Sequence, residues 1–102
     1  MTPEDRMLER LKARMLELLR ESPDPEGELR ELSRLICEDF PAVNADPFRP
    51  VAFVNDVFGD GVSAGRRMAE YALKNEVALE AAESPIDLLH RILPPSPLNH
   101  LD

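Results

Sequence analysis

Three prolines, each directly after a residue that can cap a helix, mark the predicted starts of helices and divide the chain into helical segments. A Ser, Thr or Asp side chain accepts hydrogen bonds from the free N–H groups at a helix start, and proline suits the first turn because its missing N–H needs no partner there. Prolines further along a segment end the helix, because the ring clashes with the preceding turn. The ten prolines therefore limit this chain to short helices joined by bends. The three start signals are Thr2-Pro3, Asp24-Pro25 and Ser84-Pro85.

Apolar residues recur at helical spacing between these prolines, so most of the chain is expected to be helical. Residues 51–58 are ambiguous, since their β-branched and aromatic side chains suit a strand whereas their spacing also fits one face of a helix. We expect a helix there, because no second strand is available to satisfy the backbone of a lone strand. The sequence predicts an all-α bundle of four to five helices at about 3–21, 25–39, 51–58, 64–82 and 85–93.

The domain organisation follows from the same residues. Residues 1–93 are expected to form a single helical domain, because a chain of this length holds one core. Pro94, Pro95 and Pro97 end the last helix. Residues 94–102 are therefore predicted to be a mobile or extended proline-rich tail.

The charge balance bears on the class of partner. The chain carries 20 acidic and 12 basic side chains among its 102 residues, a formal net charge of -8. Direct nucleic-acid binding is not expected, because lysine and arginine supply most of that affinity. A hydrophobic fraction of 43% is typical of a soluble globular protein, and no run of about 20 apolar residues could span a membrane. Cys37 has no second cysteine for an internal disulfide, so we expect a reducing, cytoplasmic location.

Gly59, Gly61 and Gly65 form a G-x-G-x-x-x-G pattern before a predicted helix. Such glycines let a backbone approach a phosphate at a helix N-terminus, so the chain could be a small ligand-binding or enzyme subunit using Arg66 or Arg67. The alternative is a turn followed by a capped helix, in which the glycines allow positive φ angles and close packing. We favour the turn, because the further strands of a dinucleotide-binding fold are missing. No cofactor is expected.

Other side chains that could carry chemistry lack a supporting motif. Asn55, Asp56 and Asp60 do not have the alternating acids and terminal glutamate of a calcium loop. Cys37 could be a small buried hydrophobe, and nothing in the sequence supports its pairing with either histidine as a nucleophile. We therefore expect neither catalysis nor a metal site.

Charged side chains form one stripe and several scattered groups. Arg6, Arg10 and Arg14 follow one another at intervals of four on the first helix and could contact phosphates or an acidic partner. A solvated face balanced by nearby glutamates is the simpler explanation. The acids are spread over several helices, so solubility explains the net charge better than mimicry of nucleic acid does.

Wide apolar stripes on the first and third long helices indicate a function in binding. We expect a small cytoplasmic protein–protein interaction module, homodimeric, that modulates and in our hypothesis antagonises a larger regulatory protein. A bundle core would show the same spacing, so the assignment of these stripes to an interface is a hypothesis. The residues predicted for the partner or dimer interface are Met7, Leu8, Leu11, Met15, Leu18, Met68, Tyr71 and Leu79.

Overall fold

The computed structural model describes residues 1–43, 45–59 and 63–95. These residues contain five α-helices, one short 3-10 turn and no strand, which confirms the predicted all-α class. The 3-10 turn, Leu79–Ala81, lies between the fourth and fifth helices. The helices are α1 (Pro3–Glu21), α2 (Pro25–Asp39), α3 (Pro50–Phe58), α4 (Ser63–Lys74) and α5 (Pro85–Ile92).

The predicted helix starts are confirmed by side-chain caps. The backbone N–H of Asp5 donates to Thr2 Oγ1 at 3.1 Å, and the N–H of Thr2 donates back to Asp5 Oδ2 at 3.1 Å. This reciprocal arrangement satisfies two donors that α1 would otherwise leave free. Asp24 and Ser84 likewise each accept from the backbone N–H three residues further on, at 3.2 and 3.0 Å. The capping residues therefore fix where α1, α2 and α5 begin.

The segment that suited either a strand or a helix is helical. Four of its side chains, Phe53, Val54, Val57 and Phe58, are buried, and their spacing places them on one side of α3. The β-branched side chains in this segment are tolerated because burial outweighs the small cost of valine in a helix.

The helix at the centre of the bundle is α1, which contacts every other helix and the 3-10 turn. Its most extensive contacts are with α4 and α3. No polar or charged residue in the described part of the chain is buried as a whole, although the single atoms Glu28 Oε2 and Ser33 Oγ are, so the side chains that fill the core are apolar. The buried side chains of α1 are Met7, Leu8, Leu11, Met15, Leu18 and Leu19.

The helix predicted at 64–82 ends earlier than expected, at Lys74. The chain then turns and forms the 3-10 turn, so that Leu79 and Ala82 return to the core although α4 has ended. Their apolar spacing continued the pattern of α4 and hid the break. The prediction was wrong beyond Lys74 because spacing alone does not reveal a change of chain direction.

A hydrogen-bonded cap ends α4. The N–H of Val77 donates to the carbonyl of Ala72 at 3.0 Å, and the N–H of Glu76 donates to the carbonyl of Leu73 at 3.3 Å. These two bonds form a Schellman motif, in which one residue takes the left-handed conformation. Glu76 occupies that position with φ of 49°. Glycine or asparagine is usual there, so the sequence lacks the customary signal for this helix end.

The last helix, predicted at 85–93, extends from Pro85 to Ile92, with Leu93 as its C-cap. Pro94 and Pro95 are not helical. The rest of the predicted tail, 96–102, lies outside the described residues. In the described part of the chain, no helix combines the length and the apolar composition that a membrane span requires.

Candidate functional site

Seven of the eight side chains predicted for a partner interface lie inside this chain's own core, and each has a relative exposure of at most 5%. The eighth, Tyr71, is partly accessible. A partner could reach the seven only by opening the bundle, and packing within one chain accounts for their spacing. Self-association stays a prediction. The seven are Met7, Leu8, Leu11, Met15, Leu18, Met68 and Leu79.

The glycine pattern has one member with a clear packing role. A Cβ at Gly65 would lie 2.5 Å from the carbonyl oxygen of Val57 and 2.8 Å from Cα of Phe58, so glycine lets α4 lie directly on the end of α3. Arg66, considered above for ligand contact, pairs with Asp5 at 3.1 Å. The middle of the pattern, residues 60–62, lies outside the described residues.

Two arginines of the stripe, Arg10 and Arg14, form hydrogen bonds to the 3-10 turn of the same chain. Arg10 pairs with Glu80 at 2.8 Å. Arg14 donates to the carbonyl oxygens of Leu79 and Ala82 at 3.3 and 2.7 Å. These bonds give the carbonyl groups of the turn side-chain donors from α1, so Arg10 and Arg14 stabilise the connection between α4 and α5. Arg6 is exposed.

Neither the cysteine nor any acidic group forms a recognisable chemical site in the described residues. Cys37 is exposed, which corrects the expectation of burial, and its Sγ donates to the carbonyl oxygen of Val43 at 3.5 Å. Glu21, Glu28 and Glu83 line a cleft of about 190 Å³ that has no basic residue in its wall. No group of three or more His, Cys, Asp or Glu among the described residues could hold a metal ion.

The surface feature that does stand out lies where α2 connects to α3. Phe48 and Val51 are 63% and 60% exposed, whereas the other large apolar side chains of α2 and α3 are buried or partly buried. The guanidinium carbon of Arg30 lies 5.9 Å from the centroid of the Phe48 ring, within cation–π range. Arg49, between the two apolar residues, is also exposed. We call Arg30, Phe48, Arg49 and Val51 the aromatic–arginine surface.

Local backbone structure holds Phe48 in position. The N–H of Phe48 donates to Asp46 Oδ1 at 2.9 Å, which closes an Asx turn. Pro47 and Pro50 flank the segment and fix two of its φ angles. The ring is therefore presented by a turn of limited freedom at the start of α3, with Arg49 as the N-cap of that helix.

The electrostatics of this surface differ from those of the rest of α2. Arg34, one turn beyond Arg30, pairs with Glu31 and with Glu38, and the hydrogen bond that it donates to Glu31 raises the pKa of Arg34 above its ordinary value. By contrast, neither Arg30 nor Arg49 forms an ion pair with a carboxylate of the described residues. Both residues are exposed, so their guanidinium groups are accessible from solvent.

Sequence reasoning missed this surface because it lies in a connection. Periodicity identifies faces of helices, and Phe48 precedes α3 rather than belonging to a stripe. The signal available was the string Pro47-Phe48-Arg49-Pro50, which places an aromatic and an arginine between two rigid residues. An exposed aromatic held in a stiff turn has no role in the core of this bundle.

The comparisons with known proteins found no family, no curated protein and no solved structure that matches this chain.

Proposed function

We propose that this chain acts by binding another protein, whose activity it modulates, and that the aromatic–arginine surface makes the contact. The observation that supports the proposal is the exposed ring of Phe48 with the guanidinium carbon of Arg30 over it, 5.9 Å from the ring centroid. Aromatic and arginine side chains are enriched at protein interfaces, where the ring of a phenylalanine brings a large apolar contact area and an arginine adds directional hydrogen bonds. A folded domain gains nothing in stability by exposing a phenylalanine.

The rigidity of the surface also favours a binding role. Ordering side chains and loops on association costs free energy, so a contact residue that is already fixed binds more tightly. The Asx turn at Asp46 and the flanking Pro47 and Pro50 restrict the backbone around Phe48 before any partner arrives. Phe48 itself has few rotatable bonds to order.

The charges on the surface favour a different protein over a second copy of this chain. In a dimer with two-fold symmetry the same patch lies on both sides of the interface. Arg30 and Arg49 would then face the arginines of the other copy, and repulsion between like charges opposes that arrangement. Self-association, if it occurs as the sequence predicts, would therefore use another face. The cytoplasmic location expected from the lone Cys37 is part of this proposal.

Photocrosslinking from position 48 tests the proposal. A photoreactive phenylalanine analogue replaces Phe48 in cells that make the chain, and the matched control carries it at Ala78, which is also exposed. We expect one discrete adduct with a larger protein from position 48 only. The adduct should disappear when Val51→Ser or Arg30→Gln is introduced into the crosslinking chain. The thermal midpoint of each variant should equal that of the parent chain, which shows that the variant is still folded.

Three results would overturn the proposal. The first is the absence of any adduct from position 48. The second is an adduct that forms equally from positions 48 and 78 or persists in both variants, because a specific contact through this surface depends on its neighbours. The third is an adduct of twice the chain's own mass, which would place a second copy on this surface.

A further inference from the structure

We infer that the partner presents an acidic segment in which carboxylates flank an apolar side chain, an inference that rests on the proposed function. The aromatic–arginine surface combines exposed apolar side chains with arginines that form no ion pair with a carboxylate of the described residues. The exposed faces of Phe48 and Val51 gain from contact with an apolar side chain, and the guanidinium groups of Arg30 and Arg49 gain from carboxylates. One short segment can supply both.

The local charge around the surface supports an acidic partner although the whole chain is acidic. Interactions between exposed charges are largely screened beyond about 8 Å at physiological ionic strength, so the nearest groups dominate once the partner is in contact. Carboxylates close to this surface in the sequence do not pair with its arginines. Glu31 pairs with Arg34, Asp46 accepts the backbone N–H of Phe48, and Glu26, one turn before Arg30, forms no ion pair with it. Arg30 and Arg49 have no such partner among the described residues. An incoming carboxylate can therefore bind guanidinium groups that no carboxylate of the described residues holds in an ion pair.

The geometry indicates how the partner's groups are arranged. Arg30 lies over the ring of Phe48 at 5.9 Å, and Arg49 is the next residue along the chain. Both positive groups are thus close to the apolar centre rather than at separate ends of the molecule. Arginine binds a carboxylate through two parallel N–H bonds, which also orients the partner. The fitting segment has an apolar residue with an acidic residue near it on each side.

A polyanion such as single-stranded nucleic acid shares part of this chemistry, since bases stack on aromatic rings and phosphates pair with arginine. Its charge is continuous, however, and the net charge of -8 repels the strand outside the immediate contact. A short acidic peptide extends little beyond the four residues of the surface. The structure therefore favours the acidic protein segment.

Amide chemical-shift titrations of the full chain test this inference. The probes are a peptide pool in which Asp or Glu flanks Leu or Phe, the same pool with Asn and Gln in place of the acids, and a short oligothymidylate. We expect the acidic pool to bind most tightly and to shift the amides of Phe48, Arg49 and Val51. Arg30→Gln should weaken the acidic pool by about tenfold and leave the amide-substituted pool unchanged. Arg6→Gln, which makes the same charge change on α1, is the control and should have little effect.

The outcomes separate this inference from the proposed function. In one contrary outcome, the acidic and amide-substituted pools bind equally and both lose binding to the Phe48→Ser chain. That result would overturn the inference that the partner segment is acidic, but it would leave the surface as a site of protein binding. Tighter binding of the oligothymidylate would overturn it in favour of nucleic acid. Equal losses in Arg30→Gln and Arg6→Gln would show that only overall charge matters and would also overturn it. No response to any peptide would overturn the inference, whereas the crosslinking result decides the proposed function.

Discussion

Replacing Gly65 by alanine tests the close approach of α4 to the backbone of α3. The new methyl group would lie 2.5 Å from the carbonyl oxygen of Val57 and 2.8 Å from Cα of Phe58, and 3.2 Å from Cδ1 of Leu8. Ordinary contacts between such atoms need about 3.5 to 4 Å, so roughly 1 Å must be gained by separating α4 from α3. The two shortest contacts are to backbone, which cannot rotate away as a side chain can.

The expected change in the free energy of unfolding is the difference between two opposing effects of Gly65→Ala. Overpacking a tight core costs up to about 3 kcal/mol, and the fixed backbone neighbours place Gly65→Ala near that end. Alanine recovers up to about 1 kcal/mol because it favours the helix more than glycine does. We therefore expect a net loss of about 2 kcal/mol in the free energy of unfolding. For a domain of this size the thermal midpoint should fall by about 8 to 16 °C.

Urea unfolding followed by far-ultraviolet circular dichroism measures the effect. The midpoint should fall by about 1 to 2 M with an unchanged slope, because the surface exposed on unfolding stays the same. Glu70→Ala on the exposed side of α4 is the matched control and should change stability by less than about 0.5 kcal/mol. A Gly65→Ala chain as stable as the unmodified one would refute the close approach of α4 to α3.

Three further predictions follow from single contacts. Glu76→Gly should raise the free energy of unfolding by about 1 kcal/mol in urea titrations, because glycine takes the left-handed conformation without strain, whereas Glu76→Ala should not. Arg14→Gln should lower it by about 1 to 2 kcal/mol and speed amide exchange around the 3-10 turn, and unchanged exchange would contradict the role assigned to Arg14. Hydrogen bonds from Thr2, the one from its backbone first, lower the pKa of Asp5 in the folded chain. The contribution of Asp5 to stability is therefore present above the unfolded-state pKa and is lost as pH falls below about 4. Thr2→Ala should raise the pKa of Asp5 in the folded chain, as measured by carboxyl NMR titrations.

The helix starts were predictable from the sequence because their causes are local. A capping side chain and the proline after it act within one turn, so Thr2, Asp24 and Ser84 marked α1, α2 and α5 correctly. The end of α4 was not predictable, because Glu76 takes a conformation that usually requires glycine or asparagine. The 3-10 turn that follows is held by hydrogen bonds from Arg14, which is distant in the chain, so spacing did not reveal it.

The candidate site was less accessible to sequence reasoning than the fold. An apolar stripe shows that a helix face is covered and does not show whether the cover belongs to the same chain. Met15 and Met68 illustrate this, since both fit an interface by spacing and both are fully buried in the bundle. The exposed ring of Phe48 becomes meaningful only when the position of Arg30 on α2 is known.

The central position of α1 has a consequence for how the protein is made. A ribosome completes α1 first, yet the helices that cover it most extensively, α3 and α4, begin only at Pro50 and Ser63. Contacts between distant parts of a chain form late, so the apolar face of α1 lacks the cover of α3 and α4 while the middle of the chain is synthesised. We therefore expect this face of α1 to stay accessible during translation until α3 and α4 have been synthesised.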